Sequence, residues 1–250
     1  MRSVLVLGGT AEARELAAAL DGDPQTRVIS TLAGRVVKPR LPAGEVRIGG
    51  FGGPDGLATY LQDEQIGAVV DATHPFAERM SASAHTACER AGVPLLRVER
   101  PPFAQAAGDD WRRVCSLQEA ARLIPATGRR VFLTTGRQGL GAFAGVDDAF
   151  FLVRCVDPPQ PPLPRDHELL LRRGPFTLEG ELKLIDRHRL DVLITKDSGG
   201  EQTQAKLVAA RIRTMPVIVV ARPPRAGGPT IPAVATVGEA LAWLRRHDAG

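Results

Sequence analysis

Cysteine is scarce: three in 250 residues, Cys88, Cys115 and Cys155, with no CxxC pair among them. That excludes a disulfide scaffold and matches no zinc spacing; it fits a reduced, cytoplasmic setting. Long apolar runs are missing as well. Stretches such as Val217 to Ala221 fall far short of the roughly 18 residues of a membrane span, and the VLVL of the opening MRSVLVLGG is too short for a signal peptide. Three familiar motifs are also absent. Gly8-Gly9 is not GxGxxG, because Thr10 and Ala13 stand at its glycine places; there is no GK[ST] of a P-loop and no GxSxG elbow around Ser198. Hydrolase chemistry therefore ranks below reductase chemistry. Lysine occurs only at Lys38, Lys183, Lys196 and Lys206, so almost all the basic charge is arginine and the net charge is +4. A planar guanidinium suits carboxylate or phosphate, although an Ala/Gly/Pro-rich composition accounts for the arginines equally well. With 26 glycines and 20 prolines the chain is neither collagenous nor disordered, and 44% hydrophobic residues promise a real core.

What is present alternates. Val4 to Leu7 is continuously apolar and closed by Gly8-Gly9-Thr10; Ala11 to Leu20 then has helical content. Strands are expected at Arg27 to Thr31, Glu45 to Ile48, Ala68 to Asp71 and Pro94 to Val98, with helices at Asp55 to Asp63 and Glu78 to Arg90. The periodicity lapses over Arg100 to Asp110 and restarts. Beyond it come strands at Arg130 to Thr134, Ala149 to Val153, Asp191 to Thr195 and Pro216 to Ala221. Helices are expected near Leu117 to Ile124, Leu178 to His188, Glu201 to Arg213 and Val237 to Arg246. Apolar strands alternating with helices imply a two-lobed α/β protein with parallel sheets. The domains are expected at residues 1–105 and 106–250. Strand exits in the two halves echo one another in position, which leaves ancestral duplication open. Five prolines between Pro158 and Pro164 read as a fixed loop within a domain, with docking to a Pro-binding module as the alternative.

Candidate chemistry gathers at strand exits, where open parallel sheets bind ligands. Glycines at Gly8 and Gly9 let backbone amides approach a phosphate ahead of a helix N-terminus. A plain packing turn is the alternative. The second strand ends Ser30-Thr31 and continues to Arg35 with no carboxylate, which suits the 2'-phosphate of NADPH better than the ribose of NADH. Asp71 caps or orients the DATHPFA loop, whose His74 is either a proton donor, an anion ligand or a structural hydrogen-bonding residue. In the second half, Thr134, Thr135, Arg137 and Gln138 make an anion-binding loop candidate. Lys196, Asp197, Ser198, Gly199 and Gly200 offer a cation, a hydroxyl and exposed amides before a helix, or simply a capped helix. No metal ligand set is evident.

Taken together, LVLGGTAEARELA at Leu5 to Ala17, STLAGR at Ser30 to Arg35, RIGGFGG at Arg47 to Gly53 and DATHPFAERMS at Asp71 to Ser81 resemble one family. GVPLLRVERP at Gly92 to Pro101, FLTTGRQ at Phe132 to Gln138 and TKDSGG at Thr195 to Gly200 continue the likeness. The family is that of the precorrin-6A and cobalt-precorrin-6A reductases of cobalamin biosynthesis, and the motifs span nearly the whole chain in order. The resemblance implies two Rossmann-like lobes with a ligand cleft between them, and reduction of the C18=C19 double bond of the macrocycle with NADPH, or NADH in some members. By similarity Gly8, Gly9 and Thr10 would cradle the pyrophosphate, with Ser30, Thr31 and Arg35 near the adenosine ribose. Thr135, Arg137, Gln138, Lys196, Ser198 and Gly199 would face an anionic tetrapyrrole; His74 and Asp197 are the candidates for any proton donor. No nucleic acid, metal or membrane partner is expected, and a monomer is compatible with this reading. A non-catalytic nucleotide sensor or interaction module is the rival class.

Overall fold

The computed structural model describes residues 2–34, 40–225 and 227–247, so the expectation placed on Arg35 lies outside the described residues. The chain divides into two compact units, residues 1–101 with 223–250, and residues 102–222.

The first unit begins with β1 (Arg2–Leu7), α1 (Ala11–Asp21), β2 (Thr26–Leu32), β3 (Glu45–Ile48), α2 (Pro54–Asp63), β4 (Ala68–Asp71), α3 (Glu78–Ala91) and β5 (Leu95–Val98). The apolar run of β1 divides by the strand period of two. Val4 and Val6 join a cluster with Leu16, Val70 and Leu96, whereas Leu5 and Leu7 join Ile29, Leu57, Val69 and Ala84 on the opposite side. Helix starts follow local chemistry. The Thr10 hydroxyl accepts from Ala13 N–H to begin α1, and Gly92 in the left-handed region ends α3.

The second unit contains β6 (Trp111–Val114), α4 (Leu117–Leu123), β7 (Arg130–Leu133), β8 (Phe150–Cys155) and β9 (Asp166–Leu171). It continues through α5 (Leu178–His188), β10 (Val192–Lys196), α6 (Ala205–Ile212) and β11 (Val217–Val220). The proline stretch connects β8 to β9 as a loop within this unit. The helix expected at Glu201 opens instead as a 3-10 turn over Glu201–Thr203, and α6 proper begins at Ala205.

The chain then adds β12 (Ala233–Val234) and α7 (Val237–Arg246), and these change the expected domain division. Residues from 223 onward were expected to belong with the second half. They belong to the first unit: β12 pairs in parallel with β5, and Val237, Ala240, Trp243 and Leu244 of α7 are buried in the cluster around Val4 and Leu16. Thr236 and Glu239 form a capping box that sets the start of α7.

The first sheet therefore runs β12-β5-β4-β1-β2-β3, wholly parallel. That is the 3-2-1-4-5-6 order of dinucleotide folds, with its reversal between β1 and β4. The second sheet, β6-β11-β10-β7-β8-β9, repeats the order from β7. Its sixth place is filled by β6, which precedes β7 in the chain, and the first sheet's sixth place is filled by β12 from the C-terminal end. The two halves thus exchange their last strands.

Trp243 is a test of this arrangement, being 6% exposed within the first unit's core. Trp243→Ala should destabilise that unit by about 3–5 kcal/mol, read as a shift of the urea transition followed by circular dichroism. A loss below about 1 kcal/mol would mean that α7 is not part of the core.

Candidate active site

In the first unit the register aligns three strand exits. Leu7 pairs with Thr31 on one side and with Asp71 on the other. The turn after β1 is held closely: Gly8 N–H donates to Thr31 O at 3.0 Å, and a Cβ on Gly8 would sit 3.0 Å from that same oxygen. Gly9 adopts φ 115°, a conformation reserved for glycine, with nothing within 4 Å of where a Cβ would stand. Gly8 lets the turn close against β2, and Gly9 leaves an open backbone surface at the start of α1. Thr10 is differently employed. Its hydroxyl donates to Ala72 O at 2.7 Å and accepts from Ala13 N–H at 3.1 Å, so its side chain fastens β4 to α1.

Ser30 is 1% exposed, and its Oγ has no hydrogen-bond partner among the described residues. Thr31 is buried beside it. A buried, unmatched hydroxyl at a strand exit fits a ligand that brings its own polar groups. Glu12, in the first turn of α1, stands against an incoming phosphate in sign, but Arg100 lies 3.0 Å away and offsets it. Burial would raise the Glu12 carboxyl; its backbone hydrogen bond and Arg100 outweigh that and hold it below the usual range.

Asp71 organises the next loop. Its carboxylate accepts from Thr73 N–H at 3.1 Å, Thr73 Oγ1 at 2.7 Å and Ser81 Oγ at 2.6 Å, and lies 3.6 Å from Arg97 Nε. His74 is exposed, with Nδ1 accepting from Phe76 N–H at 3.2 Å. That fixes the ring within its own turn.

In the second unit, Thr134 N–H and Oγ1 both donate to Ile194 O, tying the exits of β7 and β10. Thr135 is 5% exposed with its Oγ1 unmatched among the described residues, like Ser30 in the first unit. Gly136 has φ 81° and open space around it; Arg137 and Gln138 follow, half-buried and exposed respectively. At the end of β10, burial pushes the Lys196 ammonium below its ordinary range. Ser198 is buried, and Gly199 and Gly200 have φ 64° and 83°.

Asp197 points its chemistry elsewhere. One carboxylate oxygen accepts from Phe103 N–H at 2.9 Å, the other from Arg113 at 3.1 Å, and its carbonyl accepts from Arg222 Nε at 2.8 Å. A carboxylate committed in this way braces the loop. Of the two candidates for a proton donor, its geometry favours a structural part rather than proton delivery.

Sequence reading missed a buried ionic group under α6. Arg154, Glu181 and Lys206 are each at most 6% exposed; Arg154 pairs with Glu181 at 2.5 Å and lies over the rings of Phe132 and Phe176. The one signal was an arginine inside the apolar run FFLVRC. The two buried thiols are quiet by comparison: burial and then Asp71 push Cys88 up to about 12, and burial raises Cys155. Among the described residues no three His, Cys, Asp or Glu side chains are grouped to hold a metal, and no helix is long and apolar enough to cross a membrane.

Lys206 yields a pH prediction. Burial, reinforced by Arg154 and opposed by Glu181, pushes its ammonium down to about 7 from 10.5. Between those values the unfolded chain holds the extra proton, so the Lys206 contribution to stability rises with pH and is lost as pH falls toward 7. The difference in urea stability between the wild type and Lys206→Met should therefore vary with pH, at up to about 1.4 kcal/mol per unit. Parallel curves from pH 7 to pH 10 would contradict it.

Comparison with known proteins follows the same lines. The family described as precorrin-6x reductase CbiJ/CobK matches residues 3–245. A precorrin-6A reductase of Rhodococcus erythropolis is 49% identical over 244 residues, covering 98% of each chain. A cobalt-precorrin-6A reductase of Salmonella typhimurium is 33% identical over 232 residues, covering 88% of this chain and 87% of its own. The solved structure of a CobK precorrin-6A reductase superposes with a TM-score of 0.91 at 40% identity, covering 100% of this chain and 98% of that one. With likeness running through both units and nearly end to end, this chain belongs to the precorrin-6x reductase CbiJ/CobK family.

Proposed function

We propose that this protein reduces the C18=C19 double bond of precorrin-6A with NADPH, giving precorrin-6B. The observation that carries the reading is the Gly8-Gly9 turn at the β1 exit, set at the reversal point of a six-stranded 3-2-1-4-5-6 sheet. Family membership supplies the substrate class. The cobalt-free macrocycle is favoured because identity is 49% to a precorrin-6A reductase and 33% to a cobalt-precorrin-6A reductase.

The residues fit a reduced nicotinamide dinucleotide. Gly8 and Gly9 give backbone access for its pyrophosphate at the α1 N-terminus, with Ser30 and Thr31 beside the adenosine ribose. The nicotinamide, when bound, supplies hydride. What the chain contributes is alignment and charge. Thr135, Arg137, Gln138, Lys196, Ser198 and Gly199 hold the carboxylate fringe of the tetrapyrrole through a hydroxyl, a guanidinium, a partly desolvated ammonium and open amides. Conjugation through an iminium nitrogen already activates the macrocycle, so the reading asks for no strong protein acid. His74, fixed in its turn, and Asp197, committed to Phe103 and Arg113, agree with that economy. The proposal extends to a cytoplasmic monomer, in keeping with three free cysteines.

Purified protein with precorrin-6A and NADPH should consume the reduced nucleotide and yield a product two hydrogens heavier. Nucleotide binding without substrate-dependent oxidation would point to a sensor instead. Lys196→Ala tests the second unit's part: the KM for precorrin-6A should rise roughly tenfold, with NADPH affinity unchanged, as expected for loss of a peripheral anchor. Loss of NADPH affinity with substrate affinity retained would reverse the assignment of ligands to units.

A further inference from the structure

Arg47 stands near the end of β3, in register with Thr31 of β2. Paired residues of parallel strands share a face, and on this side of the sheet Ile29 packs with Leu57, Phe51 and Tyr60. The Arg47 guanidinium carbon lies 4.9 Å from the ring centroid of Phe51 and 4.9 Å from that of Tyr60, so two aromatic rings hold a planar cation at the strand exit.

Other arginines of this unit are matched by carboxylates: Arg27 by Glu45 and Glu64, Arg97 by Asp71, Arg100 by Glu12 and Arg225 by Glu99. Among the described residues no carboxylate pairs with Arg47. Its Nη2 makes one long contact to Gly50 O at 3.4 Å, and its buried Nε has no hydrogen-bond partner. Phe51 and Tyr60 hold the charge in place without neutralising it.

The loop that follows is built for access. Gly49, Gly52 and Gly53 have φ of 121°, 82° and 98°, and nothing lies within 4 Å of where a Cβ would stand on Gly49, Gly50, Gly52 or Gly53. In a sheet of this order the adenosine half of a dinucleotide lies toward strands β2 and β3, where the ribose meets the second strand's exit. Thr31 marks that exit, and Arg47 is its neighbour.

We propose that Arg47, lying over the adjoining rings of Phe51 and Tyr60, is a specificity-determining residue that binds the 2'-phosphate of NADPH. The assignment rests on the cofactor reading above and deepens it: a dianionic phosphate monoester on the ribose is the ligand chemistry that an uncompensated fork of N–H donors recognises. The rings restrict the side chain before the ligand arrives, which reduces the entropy lost on binding. Arg47 acts on cofactor choice and takes no part in hydride transfer.

The test compares ligands that differ only in that phosphate. Isothermal titration of the full chain with 2',5'-ADP and 5'-AMP, and with NADPH and NADH, should show Arg47→Ala weakening the phosphate-bearing member of each pair by roughly 10- to 100-fold. The other member should move less than about twofold. Arg47→Lys, which keeps the charge but loses the planar fork, should fall between, and it supplies the measurement if the alanine variant does not fold. Equal weakening of both members would mean a merely structural part and overturn the assignment, as would no weakening of either. A wild-type chain that binds neither dinucleotide would remove the cofactor reading and this assignment with it. Wild-type binding that persists unchanged in the variants removes the Arg47 assignment alone.

Discussion

The hydroxyl of Thr10 joins three segments in one place. By donating to Ala72 O and accepting from Ala13 N–H it fastens the exit of β4 to the start of α1, directly after the Gly8-Gly9 turn that leaves β1. Ala72 N–H in turn donates to Leu7 O at 3.1 Å. Everything proposed for the first unit depends on that fastening, because the reversal of strand order between β1 and β4 is where the sheet opens to a ligand. A threonine that resembled a phosphate contact in the sequence is the joint beside the Gly8-Gly9 turn. Gly8 and Gly9 then act through what they lack, one by close approach to Thr31 O and one by its positive φ.

The second unit solves the matching problem with different chemistry. Thr134 ties β7 to β10 through Ile194 O, and Asp197 ties the end of β10 to Phe103, Arg113 and Arg222. The same unit also buries charges, with Arg154 and Glu181 paired beside Lys206. Such groups cost desolvation and are tolerated because each has a partner or sheds its charge. Both units follow one strand order, so the same geometric edge recurs in each.

Much of this was legible because its causes are local. VLVL followed by GGT specifies a buried strand and a turn, and the run with Leu241, Trp243 and Leu244 marks α7 over Val237–Arg246. The destination of α7 was not legible, since an apolar stripe does not say which sheet it will cover. Edge strands escaped for a related reason: WRRV of β6 and DHELLL of β9 carry polar, exposed residues, and β12 has only two residues. Asp197 was singled out correctly as a polar residue at a strand exit, but its partners are Phe103 and Arg113, 94 and 84 residues away, beyond any local pattern. Arg47 appeared only inside the RIGGFGG motif, which also holds Phe51; its second aromatic neighbour, Tyr60, comes from α2.

The central claim is that the first unit's strand exits hold the reduced nicotinamide nucleotide. Hydrogen exchange read by mass spectrometry, with and without saturating NADPH, addresses it directly. The account predicts added protection over residues 8–13 and 28–32, with little change over residues 134–139 and 196–204. Protection confined to those second-unit segments would contradict it.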